Sequence, residues 1–345
     1  MNKFIEIAGL KIGYNYEPVV IAEIGINHGG SLNVAKKMAK CAVESGVNIV
    51  KHQTHIVEDE MSPEADKTII KYIGKSIYQL MKECSLDEKD ELELKQYVED
   101  LGAIFISTPF SRAAADRLMK FNVPAFKIGS GECNNYPLIE HICKFGKPII
   151  LSTGMNTIDS IEKAVKIIES YKIKYALLHT TNIYPTPNSL VRLNGMLDLE
   201  NNFNNAIIGL SDHTITNHAC FGAVALGASI LERHFTDKMS RKGPDIVNSM
   251  DPKSARELVK GTKILYLQRG GKREPVLEEK PVIDFAFSSV VAIKDINEGE
   301  ILSKENIWVK RPGTGPFFAR DYENLIGKEA KNNIKNGSHI KKHDV

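Results

Sequence analysis

Two lysines lie where lysine is costly. Lys51 in VNIVKHQ and Lys127 in AFKIGS interrupt short apolar, β-branched runs, and a buried ammonium is expensive unless an anion accompanies it. They call for an anionic guest, or for internal pairing with Glu23 and Glu132. The hydroxyls of Thr108, Ser130 and Ser152, with the amides of Gly129-Ser130-Gly131, suit phosphate oxygens. His213 and His234 close two neighbouring runs, GLSDH and ILERH, so their rings can converge on one divalent ion; Mn, Fe, Co or Zn would serve. Together these residues describe an enzyme that handles a phosphorylated or doubly anionic substrate with a divalent metal. They do not name its reaction.

Such side chains need a scaffold that brings them to one place. From residue 19 onward, eight β-branched runs alternate with amphipathic stretches such as LNVAKKMAKCAVESG and SIEKAVKIIESY. The runs are Val19 to Ile26, Val47 to Gln53, Ala103 to Pro109, Ala125 to Ser130, Pro148 to Gly154, Tyr175 to Thr181, Ala206 to His213 and Ser229 to Thr236. Eight βα repeats predict a (β/α)8 barrel, an α/β fold whose catalytic groups gather at the C-terminal ends of the strands. A doubly wound sheet would carry fewer strands and a Gly-rich turn after the first. The strand ends offer Glu23 and Asn27, Lys51 and Gln53, Thr108, then Lys127, Ser130 and Glu132. They continue with Ser152 and Thr153, Asn182 and Tyr184, Ser211, Asp212 and His213, and Glu232, Arg233 and His234.

The chain has 345 residues, 42% of them hydrophobic, and a formal charge of +2 from 45 Lys plus Arg against 43 Asp plus Glu. That excludes disorder and gives no basic stripe for nucleic acid or a membrane surface. No run reaches the roughly 18–20 apolar residues of a membrane span, and the N-terminus lacks the apolar core of a signal peptide. Five scattered cysteines without a Cys-x-x-Cys pair fit reduced thiols, hence a cytoplasmic protein. The charged, Gly/Pro-punctuated stretch QRGGKREPVLEEKP reads as a linker. The expected organisation is a barrel over 1–270, a linker over 271–283 and a small domain over 284–345. In the last, Asp295 to Ile301 is echoed by Asn333 to His339, which predicts a pseudo-symmetric, strand-rich module.

The stretches IAEIGINHGGSLNVAKKMAKCAVESGVNIVKHQTHIVEDEM, FISTPFSRAAADRL, FKIGSGECNNYPLI, ILSTGMN, TNIYPTP, GLSDHT and ILERHFTDKMSRKGPDIV closely resemble bacterial sialic acid synthases. VVAIKDINEGEILSKENIWVKRPGTG resembles the antifreeze-like (SAF, β-clip) domain that follows the barrel in that family, so the likeness spans nearly the whole chain. It implies a transferase that condenses phosphoenolpyruvate with N-acetylmannosamine and water to N-acetylneuraminate and phosphate. The cofactor implied is a divalent metal, Mn first, with Mg or Co as alternatives, on His213 and His234. By position in the motifs, Lys127, Thr108, Ser130 and Ser152 would hold the phosphate, and Lys51, Asn182, Tyr184 and Ser211 the carboxylate. Gln53, Asp245 and Phe285 would line the amino-sugar site, and Arg311 would reach the N-acetyl group from a partner subunit in a domain-swapped homodimer. Glu23 and Glu132 are the candidates for proton transfer, with neutralisation of Lys51 and Lys127 as their other role. Lys51→Ala is then expected to abolish turnover and leave folding nearly intact.

The nearest alternative is a synthase of legionaminate or pseudaminate, which would use a 2,4-diacetamido-trideoxyhexose acceptor and the same barrel. The runs from Lys51 to Glu60 and from Gly243 to Val247 resemble the neuraminate branch instead. A metal-dependent barrel hydrolase would leave both lysines unexplained, and a pure binding module would not need so many reactive groups on one face.

Overall fold

Runs that are apolar on both faces become the strands of a barrel, because a parallel strand there has no solvent side. The computed structural model describes residues 3–70 and 74–345. Its strands are β1 (Val19–Gly25), β2 (Ile49–Thr54), β3 (Ile104–Pro109), β4 (Phe126–Ile128), β5 (Ile149–Ser152), β6 (Tyr175–Thr180), β7 (Ile207–Asp212) and β8 (Ile230–His234). They pair in chain order, all parallel, and β8 closes on β1 with His234 beside Glu23. The (β/α)8 architecture is thus as the repeat predicts.

Helices cover the barrel, and their starts are set by short polar side chains. Ser31, Ser111, Thr157 and Asp251 each accept a backbone N–H in the first turn of the helix that follows. The apolar stripe of Leu32–Glu44, with Ala35, Met38, Ala39 and Ala42 buried, packs in the large cluster between strands and helices. A second cluster fills the inside of the barrel. Ile21, Ile49, Ile106, Ile150, Ile207 and Ile230 meet Ile5, Ile7 and Ile12 there. Those three come from an antiparallel hairpin, Ile5–Ile7 with Leu10–Ile12, that precedes the barrel and that the sequence reading passed over.

Between β2 and β3 the chain makes a long excursion, with helices at Val57–Glu60, Ile77–Cys84 and Glu88–Asp100. Among the described residues no helix is long and apolar enough to cross a membrane. The cysteines are unpaired, and all but Cys41 are buried.

The chain divides into two units, Met1–Gly270 and Gly271–Val345. The stretch expected as a structureless linker is partly helical: Lys280–Ala286 forms two turns with Pro281 at their start. The small unit is poorer in regular strands than its pattern implies. It has two, β9 (Ser289–Ala292) and β10 (Ile307–Lys310), paired antiparallel, and otherwise isolated bridges. The echoed turns do pair with each other: Ile296 and Ile334 exchange backbone hydrogen bonds at 2.9 and 2.8 Å. Gly299 and Gly337 take the matching left-handed positions, at φ +83° and +80°.

Candidate active site

Strand alternation decides which residues face the mouth. On β2, Lys51 and Gln53 point into a cavity of about 510 Å³ at the C-terminal end of the barrel, while His52 and Thr54 point out toward Glu91. Every expected site residue of the barrel lines this cavity: Glu23, Lys51, Gln53, Thr108, Lys127, Ser130, Glu132, Ser152, Asn182, Tyr184, Ser211, His213, His234 and Asp245. Asn27, Thr153, Asp212 and Arg233 also end strands but do not line it. Arg233 is fully buried on the far side, beside Asp212 and bonded to Asn217 at 2.7 Å. Phe285 and Arg311 belong to the second unit, where the guanidinium sits 6.0 Å from the centre of the phenyl ring.

The two lysines differ in their company. Lys51 forms an ion pair with Glu23, lies 3.5 Å from Glu232 and donates to Thr108 at 3.1 Å. Lys127 donates to Ser152 at 2.7 Å and lies 3.7 Å from Glu232. Burial pushes both ammonium groups down. For Lys51, Glu23 and Glu232 outweigh it and leave the group above its ordinary value. For Lys127, burial together with the Lys51 charge outweighs Glu232 and Glu23, and the group is held down at about 8. The partner expected for Lys127 was Glu132; the structure supplies Glu232 instead. Glu232, midway along β8, was assigned no role from the sequence, yet it is the carboxylate between both lysines, and its Oε2 has no hydrogen-bond partner. Among the described residues Glu132 pairs with no lysine; it accepts from Asn135 at 2.6 Å, and burial raises its carboxyl above the ordinary value.

The pairing also corrects one expectation. Removing Lys51 would strand two buried carboxylates, so Lys51→Ala cannot leave the fold nearly intact.

On the far wall, Asn182 donates to the Tyr184 hydroxyl at 3.3 Å and its Oδ1 is buried without a partner. A Cβ at Gly154 would collide with that oxygen. Ser130 accepts the Gly154 N–H at 3.1 Å. At the mouth, His55 lies flat on Phe110, with ring centres 4.4 Å apart, and bridges Glu60 at 2.7 Å and Gln53 at 3.1 Å. Neither His55 nor Glu60 was assigned a role from the sequence. Cys133 is buried nearby, and burial lifts its thiol to about 12, which removes it as a nucleophile.

The fit to a metal rests on the imidazoles. His213 and His234 lie with ring centres 5.4 Å apart. His213 Nδ1 donates to the Thr181 carbonyl at 2.9 Å, which leaves Nε2 as its lone pair. His234 Nδ1 is buried without a hydrogen-bond partner. Burial holds both rings down at about 4, as the neutral form a ligand requires. Among the described residues no three His, Cys, Asp or Glu side chains form a metal-holding group, so two imidazoles leave positions open to substrate and water. The donor set fits a divalent ion of that open kind.

These buried rings set an acid limit. His213 and His234 at about 4, and His28 at about 3, refuse protons that the unfolded chain accepts below about 6.5. Stability is therefore present above that pH and is lost as pH falls toward 4. Asp245, raised to about 6 by burial, acts in the opposite sense and offsets one ring. For these four groups together the slope is at most on the order of 3 kcal/mol per pH unit. Calorimetric melting from pH 7.5 to 4.5 should show a steep fall below 6.5; a flat profile would mean the rings are charged or solvated.

The NeuB family profile matches residues 38–274, and the SAF domain profile residues 287–345. An uncharacterised protein of Methanocaldococcus jannaschii is 41% identical, over 89% of this chain and 90% of its own. The N,N'-diacetyllegionaminic acid synthase of Campylobacter jejuni is 37% identical, over 92% of this chain and 97% of its own. Among solved structures, the N-acetylneuraminic acid (sialic acid) synthetase of Leptospira borgpetersenii superposes with a TM-score of 0.75 at 31% identity, over 82% of this chain and 96% of its own.

Proposed function

The chain belongs to the NeuB family of sialic acid synthases, and from that premise we propose that it condenses phosphoenolpyruvate with N-acetylmannosamine and water to N-acetylneuraminate and phosphate. The observation that carries this reading is the pair of buried lysines, Lys51 and Lys127, sharing Glu232 beside two neutral imidazoles. Few substrates other than a small phosphorylated carboxylate give two separate buried ammonium groups an anion each.

In this reading Lys127, Thr108, Ser130 and Ser152 bind the phosphate, and Lys51, Asn182, Tyr184 and Ser211 the carboxylate. Gln53 and Asp245 face the amino sugar, with Phe285 and Arg311 brought by the second unit of a partner copy in a domain-swapped homodimer. The Gln53 Nε2 donates to Glu23 at 3.3 Å, and its Oε1 faces His55 Nε2 at 3.1 Å. A divalent ion, Mn in the first place, bound by His213 and His234 would supply Lewis-acid polarisation of the acceptor's aldehyde. Carbon C3 of phosphoenolpyruvate bonds to that carbon, water adds at C2, and the C–O bond to phosphate breaks. The carboxylates divide this work. Glu23 is committed to Lys51, whereas Glu132, in no ion pair among the described residues and raised by burial, is the candidate to take the proton from water.

A second reading, a legionaminate-type synthase, is favoured by the 37% identity to the Campylobacter jejuni enzyme. The acceptor separates the two. Purified protein with phosphoenolpyruvate, N-acetylmannosamine and Mn should release phosphate matched one to one by N-acetylneuraminate, measured by mass. Product only with a 2,4-diacetamido-trideoxyhexose would move the protein to the second reading, and no phosphate with either acceptor would overturn both.

A further inference from the structure

Behind β2, on the side turned away from the cavity, lies a chain of buried polar groups that the proposed chemistry leaves unused. Glu91, from the helix Glu88–Asp100, has no exposed surface. It accepts from Thr54, meets His52 Nδ1 at 3.1 Å and takes a bond from Arg117 at 3.3 Å. His52 Nε2 faces His28 Nε2 at 3.2 Å, with the two rings stacked 5.2 Å apart and 20° from parallel. The Gly30 N–H points at His28 Nδ1 from 3.2 Å.

The Gly25 carbonyl also accepts from the His28 ring, and one arrangement of protons is self-consistent with the contacts above. The Gly30 amide can only donate, so His28 Nδ1 is a lone pair and the ring carries its proton on Nε2. That proton is donated to His52 Nε2, which is then a lone pair, and His52 carries its own proton on Nδ1, donated to Glu91. Reversing either ring would set two N–H groups or two lone pairs face to face. Burial holds His28 down at about 3, in the neutral form.

We infer that His28, His52 and Glu91 are positioning residues: two neutral imidazoles in a one-directional hydrogen-bond relay that fixes the inward aim of Lys51 and Gln53. Those two residues flank His52, and alternation along a strand turns them to the cavity only while His52 is held outward. The relay's other end continues into the turn before Gly30. Asn27 Nδ2 donates to the Phe235 carbonyl at 3.1 Å and to Ser249 at 2.9 Å, one residue beyond His234. An apolar side chain at 52 could fill the same volume, but it would not lock the rotation of the strand through both ring edges.

The kinetic meaning of the relay rests on the proposed function, but its proton arrangement does not. In full-length wild-type protein without substrate, nitrogen NMR of labelled histidine should show His28 protonated on Nε2 and His52 on Nδ1. His52 protonated on Nε2, or His28 on Nδ1, would overturn the relay. Glu91→Gln keeps a carbonyl acceptor for His52, whereas Glu91→Leu removes it. With Mn present, calorimetric Kd for phosphoenolpyruvate should rise about tenfold or more in Glu91→Leu and less than about threefold in Glu91→Gln. A folded Glu91→Leu protein with wild-type Kd would reduce these residues to packing and overturn the positioning role. If Glu91→Leu does not fold, His52→Phe keeps the ring against Phe105 and is held to the same tenfold criterion. Wild-type protein that binds no phosphoenolpyruvate would defeat the proposed function, while the tautomers would still decide the relay.

Discussion

Lys51→Ala should lower turnover by about 10²–10³-fold or more and, in the same protein, cost about 3–5 kcal/mol of stability. The first effect follows, under the proposed function, from removing the buried cation that would hold the substrate's carboxylate. The second follows from what remains: Glu23 and Glu232, both almost without exposure, facing each other's charge with Lys127 alone to balance them. Adding Glu23→Gln should recover much of the stability and none of the activity, because it removes the stranded charge and not the missing ammonium. Normal kinetics in the single variant would sink the assignment, and unchanged melting would show that Lys51 is solvated. The same variant also tests the shared site. Mixed with Arg311→Ala protein under proven subunit exchange, it should regain partial activity through sites that combine one intact barrel with one intact Arg311. No recovery would mean that each site is built from a single chain.

Stripping divalent ions with a chelator and desalting should reduce turnover by about 10³-fold, equivalent to about 4 kcal/mol, and Mn should restore it. His213→Ala combined with His234→Ala should abolish stoichiometric Mn binding, read by calorimetry without substrate. A double variant that still binds one Mn per chain would place the ion elsewhere. The Tyr184 ring, 4.2 Å from that of His213, gives a fold control, since its packing loss should lower the melting point only modestly.

The barrel was legible because its strands are apolar on both faces, and every polar intruder was therefore conspicuous. Lys51, Lys127, His213 and His234 stood out on that ground, and the cavity gathers all four. Partnership was not legible. Glu132 stands close to Lys127 in the chain, but Glu232, more than a hundred residues on, reaches it because the barrel closes. The same holds for Glu91, whose place in an acidic helix, EKDELELKQYVED, gives no sign that it alone is turned inward to His52. The N-terminal hairpin was missed because three-residue strands carry too little periodicity to register, although Ile5, Ile7 and Ile12 are fully spent on the barrel floor. In the small unit the echoed turns were read correctly as a pair, but bridges one residue long do not follow the alternation that marks a strand.

The excursion between β2 and β3 supplies Glu60, Met61, Ile77, Leu80 and Met81 to the cavity wall, whereas the lysines and Glu232 stand on strands. Selection can thus act on two nearly independent parts of one site. Substitutions on the strands disturb a buried charge balance and are purged for stability as well as activity. Those on the excursion alter the outer wall at little cost to the fold. Under the proposed function, such a division would let descendants diverge in the sugar they accept while inheriting the phosphorylated co-substrate unchanged, with Glu60, Met61, Ile77, Leu80 and Met81 the places where a change of acceptor would be written first.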